Sequence, residues 1–308
     1  MIEIKNLTKK IGNTQILNDI SFSVKTGEIL GFLGPNGAGK TSTMKIITSF
    51  WRPTSGSIMI DGLDTEKDSL ATRAKIGYLP ETVPLYEDMK VKEYLKFVAA
   101  MRGLSGEKLK ARLEEVAAAC GIASVLGKLI DELSKGYRQR VGLAQAIMGN
   151  PDVLILDEPT TGLDPNQIME IRELIKKIGR EKTVIFSTHI LGEVSAVCDR
   201  VIIINNGKIV GEGSPNELIN QTKAKEIVKV KVEGAMEKVL ALLKKTAGVI
   251  KAVSVGVDGE AVLYEVETEA GRDVRAAINK ALIIGGFNVL EIAKHQASLE
   301  DAFRELTK

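Results

Sequence analysis

Residues 29–41 read ILGFLGPNGAGKT, an apolar run that empties into a glycine-rich loop. The run predicts a buried strand, and the residues from Thr41 to Phe50 predict the helix that leaves the loop. Between them GPNGAGKT (34–41) fits G-x-x-x-x-G-K-[ST] in full. In such a loop the backbone N–H groups turn toward phosphate oxygens, and the helix adds the positive end of its dipole. Gly34, Pro35, Asn36, Gly37, Ala38, Gly39, Lys40 and Thr41 are therefore the candidate nucleotide-binding residues. Lys40 is expected to reach the β- and γ-phosphates as a catalytic cation, and the Thr41 hydroxyl to ligate Mg²⁺. A glycine-rich turn that merely contains a lysine is the competing reading, and the strand–loop–helix context argues against it.

A second apolar run, VLIL (153–156), delivers Asp157 and Glu158 side by side at a strand's C-terminal end. Open α/β sheets bind ligands there. Asp157 is suited to hold Mg²⁺, directly or through water, and Glu158 to orient and deprotonate an attacking water. Two adjacent acids after a strand could instead cap the next helix. The phosphate loop in the same chain favours the catalytic reading.

Around these runs the chain organises itself in two parts. Strands are expected at 2–5, 20–24 and 29–33, the last two joined by KTGE as a hairpin, and at 58–60 before the turn Asp61-Gly62. Segments 91–102 and 107–119 are apolar at helical spacing, and Ser134–Met148 places Tyr137, Val141, Ala144 and Met148 on one face. Strands at 153–156, 183–187 and 201–204 then alternate with helices at 166–178 and 190–198. That alternation predicts a parallel sheet interrupted by a helical insertion at about 82–150. After the Gly/Ser/Pro stretch 211–216 the pattern becomes strand 226–233, helix 235–246, strands 249–257 and 260–268 joined at Asp258-Gly259, helix 271–284 and strand 287–293. This βαββαβ order matches the ferredoxin-like arrangement, which by itself implies no activity. The expected division is 1–220 and 221–308.

Bulk properties exclude several classes. Of the 308 residues, 42 are basic and 40 acidic, a net charge of +2, so nothing global points to nucleic acid as a partner. Cys120 and Cys198, the only two cysteines, read as reduced buried thiols. MIEIKNLTKK has no apolar signal-peptide core, and no apolar run approaches the roughly 18 residues that cross a bilayer. A membrane role would have to go through a partner.

Taken together, these features resemble the nucleotide-binding subunit of an ABC transporter over residues 1 to about 220. LSKGYRQR (133–140) is similar to that family's signature, usually LSGGQ: Ser134 and Gly136 agree, while Lys135 replaces a glycine and Tyr137 the glutamine. TGLDP (161–165) resembles the D-loop, STH (187–189) the switch-histidine segment, and GYLPE (77–81) the Q-loop, with Glu81 where glutamine is usual. In KKIGNTQ (9–15), Ile11 stands where the family commonly stacks an aromatic on adenine. The resemblance implies a P-loop NTPase fold with a parallel-sheet core, an antiparallel β subdomain and a helical subdomain. It implies Mg²⁺-dependent ATP hydrolysis, with His189 on the γ-phosphate, Glu81 as an oxygen donor to Mg²⁺ or water, and Asp164 as a communicator between two sites. Two cassettes would face head to tail, with Ser134 and Gly136 of one covering the γ-phosphate held by the other. A homodimer, integral membrane permease subunits and a place on the cytoplasmic face of the cell membrane follow from the same resemblance.

The LSKGYRQR form, YLPE and the tail SLEDAFRELT look like the exporter-type ATPases of the ABC-2 branch. The C-terminal part could then serve homodimerisation, hold a regulatory ligand or simply fill space. ABC ATPases that act on ribosomes or DNA are the alternative class. They usually carry two cassettes or long coiled coils, whereas this chain has one phosphate loop and no sustained heptad run.

Overall fold

The structure, a computed structural model, describes residues 1–222, 226–269, 272–295 and 298–307. Its contacts divide the chain into a unit of residues 1–215 and a unit of residues 216–306. In chain order the first unit holds β1 (Ile2–Ile11), β2 (Thr14–Val24), β3 (Ile29–Leu33), α1 (Lys40–Ile47), β4 (Ser55–Ile60), β5 (Leu63–Asp64), α2 (Ser69–Lys75) and β6 (Ile76–Leu79). There follow α3 (Val91–Met101), α4 (Gly106–Ala119), α5 (Lys135–Ile147), β7 (Val153–Asp157), α6 (Pro165–Gly179), β8 (Thr183–Thr188), α7 (Leu191–Val197), β9 (Arg200–Asn205) and β10 (Lys208–Gly213).

The six-stranded sheet runs β10-β9-β3-β8-β7-β6, parallel throughout except for β10 at its edge. Strands β3 and β7 are buried at all five positions, as strands covered on both faces must be. Because side chains alternate across a strand, the two faces feed two cores. Leu30, Phe32, Val153 and Ile155 join a core with Ile2 and Ile4 of β1 and with Met44 and Ile47 of α1. Ile29, Leu154 and Leu156 join the other, with Tyr94 and Leu95 of α3, Val116 of α4 and Val141 of α5. Each fully buried aliphatic or aromatic side chain contributes about 1.5–3 kcal/mol. The loop after β3 and the acids at the end of β7 are therefore carried by fully buried strands.

The expected hairpin between 20–24 and 29–33 is not formed. β2 pairs with β1, turning at Gly12-Asn13, in a separate antiparallel sheet β2-β1-β4-β5. The physical reason is readable in the burial: ISFSV alternates and ILGFL does not, so the two runs belong to different kinds of sheet. Residues 211–213, expected in a linker, end β10, which pairs with β9 across Asn206-Gly207. Both turn residues have positive φ, 48° and 72°, as a two-residue hairpin of this composition requires. Strand β6 and helix α2 were not anticipated. Tyr137 does not join its buried helix face: it is 37% exposed, because the first turn of α5 is solvent-facing except at Gly136.

The second unit begins within α8 (Pro215–Thr222). It continues with β11 (Glu226–Glu233), α9 (Met236–Lys245), β12 (Val249–Asp258), β13 (Ala261–Thr268), α10 (Arg275–Ile284), β14 (Asn288–His295) and α11 (Leu299–Leu306). Its sheet is antiparallel, in the order β12-β13-β11-β14, and Val228, Val230 and Tyr264 pack with Leu243 of α9 and Ile278 of α10. Residue 271, where the second helix was expected to start, lies outside the described residues. Among the described residues no helix is long and apolar enough to cross a membrane.

Candidate nucleotide site

The loop that follows β3 is shaped by positions where a side chain does not fit. A Cβ on Gly34 would stand 2.4 Å from the Ile204 carbonyl oxygen. Gly39 has φ +110°, and a Cβ there would meet Leu17 at 2.6 Å. Pro35, Asn36 and Gly37 form the exposed rim of the loop, whereas Ala38 is buried. Helix α1 starts straight after Gly39 with neither a side-chain cap nor an acid in its first turn, so its N-terminal N–H groups keep their positive field.

Lys40 folds back into this loop. Its Nζ donates to Gly34 O (2.8 Å) and Pro35 O (3.3 Å) and pairs with Glu158 Oε1 at 3.2 Å. The other Glu158 oxygen, Oε2, meets His189 Nδ1 at 2.8 Å and accepts from Thr161 Oγ1 at 3.3 Å. Glu158 has φ +50°, a strained conformation for a side chain of this size, and its N–H donates to both Ser187 O and Ser187 Oγ at 3.1 Å. Lys40, Glu158 and His189 thus form one line across a cleft of about 610 Å³, with Thr41 and Glu81 on its wall.

Behind that line stands Asp157, fully buried. Its Oδ1 accepts from Ser187 Oγ (2.5 Å) and Thr41 Oγ1 (3.2 Å), while Oδ2 is buried with no partner. Burial, together with the charges of Glu158 and Glu81, pushes the Asp157 carboxyl above its ordinary value, against the opposing bonds from Ser187 and Thr41. A buried carboxylate oxygen without a partner is costly, and a hard cation is the kind of group that would satisfy it. One or two carboxylates, a hydroxyl and phosphate oxygens are the donor set Mg²⁺ takes, so Thr41, Asp157 and Glu81 fit that ion. The competing helix-cap reading of the two acids fails, because α6 is capped by Asp164, whose Oδ1 accepts from Gln167 N at 2.9 Å.

Ser134, Gly136 and Asp164 do not line this cleft. They gather instead at the starts of α5 and α6. Ser134 caps α5 by accepting from Tyr137 N at 3.4 Å. A Cβ on Gly136 would stand 2.7 Å from the Gln167 side chain, and one on Gly162 would stand 2.0 Å from Lys135 Nζ. Arg138 is tied to the carbonyls of Asp131 and Leu133 and to Glu87, and Arg140 to Glu170 and Cys120 O. These arginines fasten the helix to its own unit rather than forming a free basic patch. Ile11 is 48% exposed and outside the cleft lining, where the apolar residue is Ile16.

Ser187, which no motif singles out, holds both Asp157 and the Glu158 backbone. The available signal was a hydroxyl at the end of an otherwise apolar strand run. Nor does a motif single out Thr161.

A family model described as ABC transporter matches residues 17–161, and one described as AAA domain, putative AbiEii toxin, Type IV TA system, matches residues 129–195. The uncharacterized ABC transporter ATP-binding protein YdbJ of Bacillus subtilis (strain 168) is 37% identical over 309 residues, covering 100% of this chain and 95% of the relative. The linearmycin resistance ATP-binding protein LnrL of the same organism is 31% identical over 316 residues, covering 100% and 98%. Among solved structures, the dimeric post-hydrolysis state of the ATP-binding cassette MJ0796 bound to ADP and Pi has a TM-score of 0.64 at 28% identity, covering 70% of this chain and 98% of that one. With relatives above 30% identity over 95% and 98% of their length, and a phosphate loop set against paired acids, the chain belongs to the ATP-binding subunits of ABC transporters.

Proposed function

We propose that this subunit hydrolyses ATP to power an exporter-type transporter, working as two copies with each nucleotide held between the cleft of one and the Ser134–Gly136 turn of the other. The observation that carries the reading is the Lys40–Glu158–His189 line, backed by the partnerless Asp157 Oδ2. When ATP binds, the loop N–H groups and the start of α1 receive its phosphates, and Lys40 leaves Glu158 for the β- and γ-phosphate oxygens. Thr41, Asp157 and Glu81 would hold Mg²⁺, which would supply neutralisation of the phosphate charge. Glu158, released from Lys40, orients a water and accepts its proton as the water oxygen attacks the γ-phosphorus, while the bond from that phosphorus to the β,γ-bridging oxygen breaks and ADP leaves with the oxygen. His189 keeps the Glu158 carboxylate aligned through Oε2 and faces the γ-phosphate.

One chain leaves the far side of the γ-phosphate uncovered, because Ser134 and Gly136 do not line its own cleft. A second helix N-terminus supplied in trans would complete the site. The dimeric MJ0796 structure supports a pair of cassettes, and the names of the relatives support permease subunits and an export role. Residues 1–220 would be the cassette, at the cytoplasmic face of the cell membrane, with no nucleic acid as partner. Residues 221–308 would be an accessory domain of ferredoxin-like arrangement that serves homodimerisation. Specific ATPase activity should rise with protein concentration; activity independent of concentration over the range in which light scattering detects dimers would overturn the shared site.

A further inference from the structure

Glu193, on α7, is 1% exposed, and none of the steps above uses it. Its carboxylate accepts two hydroxyls that come from different segments of the site. Thr160 Oγ1 donates to Oε1, and Thr188 Oγ1 donates to Oε2 at 2.6 Å. Thr160 lies two residues after Glu158, and Thr188 immediately precedes His189. Arg172 of α6 stands 3.8 Å from Oε1, so the buried charge faces a cation. Thr188 Oγ1 also accepts from Ile190 N at 3.0 Å, which fixes the backbone on both sides of His189.

We propose that Glu193 is a positioning residue that clamps the Glu158 segment to the His189 segment and so holds the 2.8 Å contact between carboxylate and imidazole. The clamp is needed because Glu158 sits at φ +50°, a conformation that persists only where the surroundings over-determine it. Glu193 supplies that constraint from outside the cleft, one or two residues from each group it places. Its hydrogen bonds and ion pair go to Thr160, Thr188 and Arg172, and none goes to the phosphate loop or Asp157. Removing it should therefore disturb proton transfer and leave nucleotide binding intact. The catalytic consequence rests on Glu158 acting as the base; the geometric one does not.

The experiment uses the full chain with two readouts. In the nucleotide-free protein, the imidazole resonances of His189 are followed by NMR at fixed pH. The chain has only two histidines, so a His295→Gln variant assigns them. Glu193→Ala should move the His189 resonances in the same direction as Glu158→Gln, while Thr160→Ser and Thr188→Ser, which keep the hydroxyls, should leave them in place. In steady state, Glu193→Ala should lower kcat by about 10²-fold, the scale of a 1 Å misplacement, with KM for ATP within about twofold of wild type. If Glu193→Ala does not fold, Thr160→Val and Thr188→Val each remove one arm and should each move the resonances and lower kcat several-fold. Unchanged His189 resonances and unchanged kcat in these variants, beside a Glu158→Gln variant that has lost turnover, would overturn the clamp. A Glu158→Gln variant with full turnover would instead overturn the base assignment, and the NMR readout would still decide the clamp.

Discussion

The cleft around Lys40 and the helix starts around Ser134 are two halves built on opposite principles. In the cleft, charged groups are buried and answer one another: Lys40 and Glu158 are each 5% exposed and in contact. At Ser134 the polar groups, Ser134 and Asp164, are small and exposed and cap α5 and α6, while Gly136 between them is buried. On the proposed reading, the first half would bind the nucleotide within one chain. The second would offer its helix N-terminus to a nucleotide held by another copy. The contrast predicts that damage to the two halves should separate kinetically, and that the halves should complement each other between chains.

The largest effect belongs to the cleft. Glu158→Gln should cost about 10²–10⁴-fold in turnover, the usual worth of a general base, while ATP binding measured by equilibrium dialysis is retained. Full turnover in this variant would remove Glu158 from the mechanism. The next effect tests the outward half. Ser134→Asp keeps an N-cap and favours the start of α5, so thermal stability should hold or rise slightly. The added charge would nevertheless face a partner's phosphates, and turnover should fall about a hundredfold, as on losing an oxyanion donor. Mixing this variant with Lys40→Ala should restore part of the activity, because one of the two sites in a mixed dimer is then intact. Absence of any recovery would break the comparison.

A smaller effect tests the burial of Asp157. Its carboxyl is raised by burial and by Glu158 and Glu81, so in the nucleotide-free protein the ionised form opposes folding. A folded-state value above the unfolded one means that stability is gained as pH falls through it and lost as pH rises. Asp157→Asn should therefore raise Tm by a few degrees at neutral pH, and this gain should shrink as pH falls through the raised value toward the ordinary carboxylate range, where the wild-type carboxyl is already protonated in the folded protein. The same variant should weaken Mg²⁺-dependent nucleotide binding. An unchanged or lower Tm at neutral pH would contradict the assigned cost of the buried charge.

Much of this was legible in the residues, for reasons that differ by element. The phosphate loop and the paired acids are local: their spacing fixes their geometry once strands β3 and β7 are buried. The parallel core was legible because VLIL and TVIFS are apolar without alternation. Strand β10 escaped although Asn206-Gly207 is a strong hairpin signal, because the glycines that followed read as a linker. Ser187 and Glu193 escaped for a different reason. Each acts on residues about 30 or more positions away, Ser187 on Asp157 and Glu193 on Thr160, and only the stacking of β7 beside β8 brings them together. Sequence spacing carries no trace of that adjacency.

The smallest expected effect lies at Ile11, outside the cleft lining. This residue ends β1 and is 48% exposed, and the apolar surface lining the cleft comes from Ile16. With no aromatic at position 11, base recognition would rest on a narrower aliphatic contact, and discrimination between ATP and GTP should be weak. Ile11→Tyr puts a ring at an edge position that already tolerates exposure, so folding should not suffer. Aromatic pairing is worth about 0.5–1.5 kcal/mol beyond area, which converts to a roughly two- to tenfold gain in ATP affinity. The gain should be in affinity with kcat unchanged, because Ile11 does not line the cleft that holds the Lys40–Glu158–His189 line. A variant that altered kcat but not affinity would place Ile11 in contact with the catalytic half, and a wild-type chain already strongly selective for ATP would show that another residue reads the base.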